Sequence, residues 1–190
     1  MKKLLVLPAL LILATVSAQA AIIDFDLKGI AGFGLLPGNE PIASGGTGGE
    51  IGSGITFDDA TNLLTLNIGW GSSQGFTDLS STATASHIHV TASNNGAGFT
   101  QTGAVLFTLT RSTNAVTGGT FTGPSNAITL TAAQKTDLFN GKYYVNIHTA
   151  NNGGGELRGF LVPVPEPGTL LWGAAVGLVA GFRRVRSRRA

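Results

Sequence analysis

Three histidines, the only ones in the chain, fall in two short segments with the alternation of β-strands. His87 and His89 stand two residues apart in Ser-His-Ile-His-Val, and His148 ends the run Tyr-Tyr-Val-Asn-Ile-His. Residues two apart in a strand point to the same face, so the histidines lie on the polar faces and the apolar residues between them face a core. Three imidazoles can hold copper or zinc and leave one coordination position open. The pattern therefore makes His87, His89 and His148 candidate metal ligands.

Two charged residues after His148 leave a second interpretation open. Glu156 and Arg158 share the polar face of the last predicted strand. In a metal site, these two residues would contact the ligand side chains and hold them in position. In a purely structural site, the histidines hydrogen-bond to neighbouring strands and Glu156 pairs with Arg158, and no cofactor is present.

No catalytic motif stands out, and we predict no catalytic residues. The chain has no cysteine, which excludes a thiol nucleophile, and it has no Gly-x-Ser-x-Gly element. The glycine-rich stretch at residues 45–49 is not followed by Gly-Lys-Ser/Thr, so it is predicted to be a flexible surface loop and not a phosphate cradle. These observations favour a binding or structural protein over an enzyme.

The elements that position the histidines are predicted to be short strands. Alternating or compact apolar runs bounded by turn residues predict strands at residues 23–27, 55–57, 64–70, 87–91, 104–110, 117–122, 143–149 and 156–162. One helix is predicted at residues 132–140, where Thr131 and Gln134 form a capping box and Gly141 supplies the stop. The predicted fold is all-β: an antiparallel Greek-key-like β-sandwich with one short helix.

Both chain ends have the composition of targeting segments. Lys2 and Lys3 precede an apolar run at residues 4–16 and an Ala-Gln-Ala cleavage site, so residues 1–20 are predicted to be a Sec signal peptide that signal peptidase removes. At the other end, Pro165-Glu166-Pro167 is followed by uncharged residues at 168–182 and then five arginines. An apolar helix of that length spans about 22 Å, which is short for a bilayer core of about 30 Å, and the arginines favour a cytoplasmic end.

The two terminal segments also explain the net charge. The chain has 12 Lys and Arg against 10 Asp and Glu, but seven of the basic residues lie in the terminal segments. All ten acidic residues lie between Asp24 and Glu166, so the body of the protein is about five units negative. The basic character therefore reflects topology signals, and no nucleic-acid partner is predicted.

Residues 163–190 resemble the PEP-CTERM sorting signal of Gram-negative bacteria, with Val164-Pro165-Glu166-Pro167 as its motif. The resemblance implies recognition and cleavage by an exosortase-type protease after transient anchoring in the inner membrane. The protein would then reach the cell surface or the extracellular polymer matrix.

Residues 21–162 resemble the CHRD domain, which occurs in chordin and in secreted bacterial proteins. The resemblance rests on Tyr-Val-Asn-Ile-His-Thr at 144–149 and Gly-Glu-Leu-Arg-Gly at 155–159, together with Ala-Ser-His-Ile-His at 85–89. It implies a non-enzymatic module with an adhesive or structural role in a biofilm, and exopolysaccharide or other surface proteins as partners.

The histidine pattern is also similar to the copper side of Cu/Zn superoxide dismutase. That likeness implies His87, His89 and His148 as ligands and Arg158 as a guide for an anion. The chain departs from that family because it has no fourth histidine to bridge two metals and no cysteine for a disulfide.

Overall fold

The computed structural model describes residues 21–40, 45–93 and 98–165. The predicted signal peptide, residues 166–190 and with them Glu166 and Pro167 lie outside the described residues. Twelve β-strands, one α-helix and two single-turn 3₁₀-helices make up the described part. The strands are β1 (Ile22–Gly29), β2 (Gly32–Phe33), β3 (Gly48–Glu50), β4 (Ile55–Asp58), β5 (Leu63–Thr65), β6 (Ile68–Trp70), β7 (Ala83–Thr91), β8 (Gly103–Thr108), β9 (Gly119–Phe121), β10 (Ala127–Thr129), β11 (Tyr143–Thr149) and β12 (Leu157–Pro163). The 3₁₀-helices are Pro37–Asn39 and Ser72–Gln74.

The strands form two antiparallel sheets of unequal size. Eight strands of the larger, curled sheet follow the order β10-β5-β4-β1-β12-β11-β7-β8, and β2 pairs with β1 at the side. The smaller sheet has the order β3-β6-β9. The first and last described strands, β1 and β12, are neighbours, with Phe25 opposite Pro163. The prediction of a mostly antiparallel β fold with one helix is confirmed, although the two sheets are less equal than in the predicted sandwich.

The α-helix α1 (Ala132–Phe139) is capped as its sequence predicts. The Thr131 hydroxyl accepts a hydrogen bond from the Gln134 backbone N–H, and the Gln134 side chain accepts one from the Thr131 backbone. Gly141 follows with a φ of 65°, in the left-handed region that a glycine adopts without strain. Because the cap satisfies backbone donors that the first turn leaves free, this short helix has a defined start.

Two predicted segments differ in the structure. The strand predicted at residues 64–70 divides into β5 and β6, which belong to different sheets, because Leu66 and Asn67 bond to Asn126 and Gly54 instead of continuing the ladder. The glycine-rich stretch predicted to be a flexible surface loop is packed inward: Gly46, Gly48 and Gly49 are buried, and β3 begins at Gly48.

One hydrophobic core lies between the curled sheet and the small sheet. It includes Trp70 and Phe121 from the small sheet and Tyr143, Val145 and Ile147 from β11. The alternation of β11 therefore turns its odd-numbered residues into the core and its even-numbered residues to the opposite face of the large sheet. That opposite face carries the histidines.

Candidate metal centre

Strands β7 and β11 bring the three histidines to one face of the sheet. The two strands are antiparallel neighbours in which His87 lies opposite Asn146, His89 opposite Tyr144, and His148 opposite Ala85. One ring nitrogen from each histidine can be chosen so that all three atoms lie within 4.8 Å of one another. The cluster has a buried end at His89 and a partly solvent-exposed end at His87 and His148.

His148 and His87 form the open end of the cluster. The Nδ1 atom of His148 lies 2.9 Å from the Gly153 carbonyl oxygen, so it carries the proton and donates. The Nε2 atom of His148 is then an acceptor, and it lies 3.1 Å from Nδ1 of His87. Without a metal, His87 donates to His148 across this gap. For a metal to bind here, the proton of His87 would have to be on Nε2 instead, and Nδ1 of His87 and Nε2 of His148 could then hold one ion.

His89 forms the buried end and is held on three sides. Its Nδ1 atom donates to the Gly103 carbonyl at 2.9 Å, which leaves Nε2 as the acceptor nitrogen. Its ring stacks on Tyr144, with the ring planes 1° apart and the centroids separated by 4.7 Å. A β-bulge between β7 and β8 falls at Ile88 and His89, a place where bulges commonly redirect a side chain.

Gly103, whose carbonyl accepts the hydrogen bond from His89, packs closely against β7. A Cβ atom at that position would overlap the Val90 carbonyl of β7, so only glycine allows the approach that presents its carbonyl to His89.

The local electrostatics favour neutral imidazoles. Burial lowers the pKa of His87, and the neighbouring His148 and His89 and the Arg111 guanidinium lower it further. Burial also lowers the pKa of His89, and the Gly103 carbonyl and the Asn146 side-chain oxygen oppose this shift because both favour a protonated ring. Metal ligation requires the neutral ring, so these two side chains are in the required form at neutral pH.

Arg158 has a different partner from the one the sequence predicts. Its Nη2 atom pairs with Glu40 Oε2 at 2.7 Å, and both side chains are nearly excluded from solvent, at 5% and 1% exposure. The guanidinium also lies over the ring of Tyr144, 4.3 Å from the centroid. Arg158 therefore pairs with Glu40 and not with Glu156. Its role as a guide for an anion stays a prediction.

Glu156 binds loops and not histidines. The fully buried carboxylate accepts hydrogen bonds from the backbone of Gly46 and Ser80, at 2.8 and 2.7 Å. The hydroxyls of Ser80 and Thr149 and the amide of Asn152 also donate to it. Glu156 thereby joins the glycine-rich segment and the loop before β7 to the turn after His148.

Two residues that were not predicted also contact the site: Glu40 pairs with Arg158, and Asn146 lies against His89. Asn146 shares the polar face of β11 with His148, which the alternation of the strand already indicates. Glu40 lies outside every predicted strand, and no local pattern indicates that it pairs with Arg158.

Two family models match the chain. The CHRD domain model matches residues 35–161, and a PEP-CTERM protein-sorting motif matches residues 163–189. The chain belongs to the CHRD domain family. No curated protein and no solved structure shows significant similarity to it.

The matched CHRD domain contains all three histidines as well as Asn146, Glu40 and Arg158. The sorting motif follows directly and indicates transfer to the cell surface by an exosortase-type enzyme, through a membrane-associated intermediate. In the part of the chain that the structure describes, no helix is long and apolar enough to cross a membrane.

Proposed function

We propose that this CHRD domain protein is a surface-sorted, non-enzymatic protein that binds one copper or zinc ion through His87, His89 and His148. The observation that carries the proposal is the convergence of one nitrogen from each histidine within 4.8 Å on a single sheet face. The N–H groups of His89 and His148 donate to backbone carbonyls, an arrangement typical of metal-ligating histidines because it fixes the ring tautomer.

The donor set favours transition metals over hard cations. Imidazole nitrogen suits copper and zinc, whereas magnesium and calcium prefer oxygen ligands. Zinc–nitrogen bonds are about 2.0–2.1 Å long. Two such bonds to atoms 3.1 Å apart, the separation of the His87 and His148 nitrogens, would enclose an angle of about 100°. That angle lies between the square-planar and tetrahedral values.

Binding fits the surroundings better than redox catalysis. The guanidinium that would guide an anion in a dismutase-like site is paired with Glu40 and buried. An adhesive or structural role, with exopolysaccharide or other surface proteins as partners, stays a prediction that the sorting motif makes reasonable.

The test is metal binding by exported protein purified without a histidine tag. We expect about one equivalent of Cu²⁺ or Zn²⁺ by elemental analysis and calorimetry. His148→Ala should weaken binding more than about 100-fold, since loss of a ligand should exceed the loss from changing a supporting residue. Thr84→Ala, an exposed change on β7, is the control and should bind like the parent. Absence of binding at micromolar metal, or unchanged binding when all three histidines are alanine, would overturn the proposal.

A further inference from the structure

Two acceptor atoms face each other at the buried end of the histidine cluster. His89 Nε2 lies 3.2 Å from Oδ1 of Asn146. Because Nδ1 of the same ring carries its proton toward the Gly103 carbonyl, Nε2 of the neutral ring has a lone pair and no hydrogen. In this tautomer, the carbonyl oxygen and the imidazole lone pair repel each other until a proton or a metal ion binds between them.

The orientation of the Asn146 amide follows from its other neighbour. Burial raises the pKa of Glu40, and Arg158 and the nitrogen end of the Asn146 amide oppose that shift, although the amide lies too far off for a hydrogen bond of normal geometry. Glu40 is itself paired with Arg158. With the amide nitrogen turned to the carboxylate, the amide oxygen must face His89. The buried ion pair thus aims Oδ1 of Asn146 at the metal-binding face.

Asn146 also stands at the centre of the ligand set. It lies directly opposite His87 in the β7–β11 pairing, and it shares a face with His148 two residues further along β11. The side chain is almost fully buried, at 1% exposure, so its oxygen has little access to water. A cation about 2.1 Å from both Oδ1 and Nε2 would see them at an angle of about 100°, close to that for His87 and His148.

We propose that Asn146 is the fourth ligand of the site, contributing its side-chain oxygen to a three-histidine, one-oxygen set that the Glu40–Arg158 pair orients. The inference rests on the proposed function. A carbonyl oxygen is a weaker ligand than imidazole for copper or zinc, so Asn146 adds to affinity and geometry without replacing any histidine.

The experiment compares Cu²⁺ binding by the parent protein and by Asn146→Leu and Asn146→Asp. Asn146→Leu removes the oxygen at similar volume and should lower affinity about 10- to 100-fold, the range typical of residues that support a metal site. Asn146→Asp keeps an oxygen in place and should bind Cu²⁺ at least about 10-fold more tightly than Asn146→Leu does. The electron paramagnetic resonance spectrum of bound Cu²⁺ should change in both variants, because Asn146→Leu removes the oxygen ligand and Asn146→Asp replaces an amide oxygen by a carboxylate oxygen.

Each other outcome has a defined meaning. If the parent binds no metal, the proposed function fails and this inference falls with it. If the parent binds but Asn146→Leu leaves affinity and spectrum unchanged, Asn146 is no ligand while the histidine site stands. Equal weakening in both variants with the parent spectrum retained would show a structural role only and would also overturn the inference.

Two further variants separate ligation from folding. Asn126 is a second buried asparagine, hydrogen-bonded to Thr110 and Thr122 away from the cluster. Asn126→Leu should lower the melting temperature without changing the Cu²⁺ spectrum. Glu40→Gln should weaken Cu²⁺ binding less than Asn146→Leu does, because it changes the orientation of the Asn146 amide and leaves its oxygen present. If Asn146→Leu does not fold, the Asn146→Asp spectrum decides: an unchanged spectrum overturns the inference.

Discussion

At the scale of single residues, Glu156 shows how a buried charge is kept in a domain without disulfides. Burial raises its pKa, but hydrogen bonds from Ser80, Gly46 and Thr149 outweigh that effect, so the pKa is lowered. The carboxylate is therefore the stable form inside the fold. Its partners belong to three separate segments, so one side chain holds together the loops that border the histidine cluster.

We expect Glu156→Gln to reduce the free energy of unfolding at neutral pH by about 2 kcal/mol, because hydrogen bonds to a charged group contribute about 1.5–3 kcal/mol each and glutamine still fills the space. The lowered pKa adds a pH dependence. The contribution of Glu156 is fully present above the unfolded-state pKa of about 4.3 and is lost as the pH falls through the lower folded-state pKa.

Urea unfolding from about pH 7 to pH 3 checks both parts. The parent should lose more stability in acid than Glu156→Gln does, so the two curves converge. Parallel curves would contradict the assignment of a lowered pKa to Glu156, and an unchanged midpoint at pH 7 would contradict its role in joining the loops.

At the scale of elements, the glycine-rich stretch before β4 shows where sequence patterns stop being informative. Local alternation sufficed for β1, β7 and β11, since a period of two depends only on neighbouring residues. Glycine fills four of the five positions at residues 45–49, so no side chains alternate there and nothing local distinguishes a surface loop from a buried strand. Its position depends on distant segments, such as the Gly69 carbonyl of β6 and the Glu156 carboxylate. Glu40 escaped prediction for the same reason.

Gly48→Ala should destabilise the small sheet strongly. A Cβ atom there would lie 2.5 Å from the Gly69 carbonyl oxygen and 3.3 Å from Cβ of Trp70, so β3 and β6 would have to separate. We expect a loss of about 2–3 kcal/mol, in the range of overpacked cores. Gly154→Ala is the matched control, since nothing lies within 4 Å of the added Cβ.

Thermal melts of the two variants test this packing. The control should stay within about 0.5 kcal/mol of the parent. If Gly48→Ala melts with the control, the glycine-rich stretch is a surface loop after all.

At the scale of the whole molecule, the chain consists of a CHRD domain followed at once by its sorting motif. The sorting motif could be predicted from its prolines, apolar run and arginines, because targeting segments are recognised as linear patterns, whereas the signal peptide stays a prediction. Strand alternation alone sufficed to predict that the three histidines share the polar faces of their strands. Tertiary contacts were needed for Arg158, because its partner Glu40 lies far away in the sequence.

The processed protein should start at Ala21 and end before Leu170. The Ala-Gln-Ala site and the Pro165-Glu166-Pro167 motif bound the segment that remains after both cleavages. Mass spectrometry of surface material from cells that produce the full chain measures both ends. Replacing Pro165, Glu166 and Pro167 by alanine should leave the arginine-rich end attached and the protein in the membrane fraction. An intact arginine-rich end on the parent protein at the surface would contradict this.

The pairing of β1 with β12 decides which end of the domain is tethered. The backbone N–H of Val164 donates a hydrogen bond to the Asp24 carbonyl oxygen. The start of β1 and the end of β12 therefore lie at the same end of this strand pair. Arg158, opposite Asn146, is five residues back along β12 from Pro163, or about 17 Å at about 3.3 Å per residue. The sorting motif therefore follows the end of β12 that lies away from the histidines. We therefore expect the histidines to take up the proposed metal ion equally well before and after the tail is cleaved.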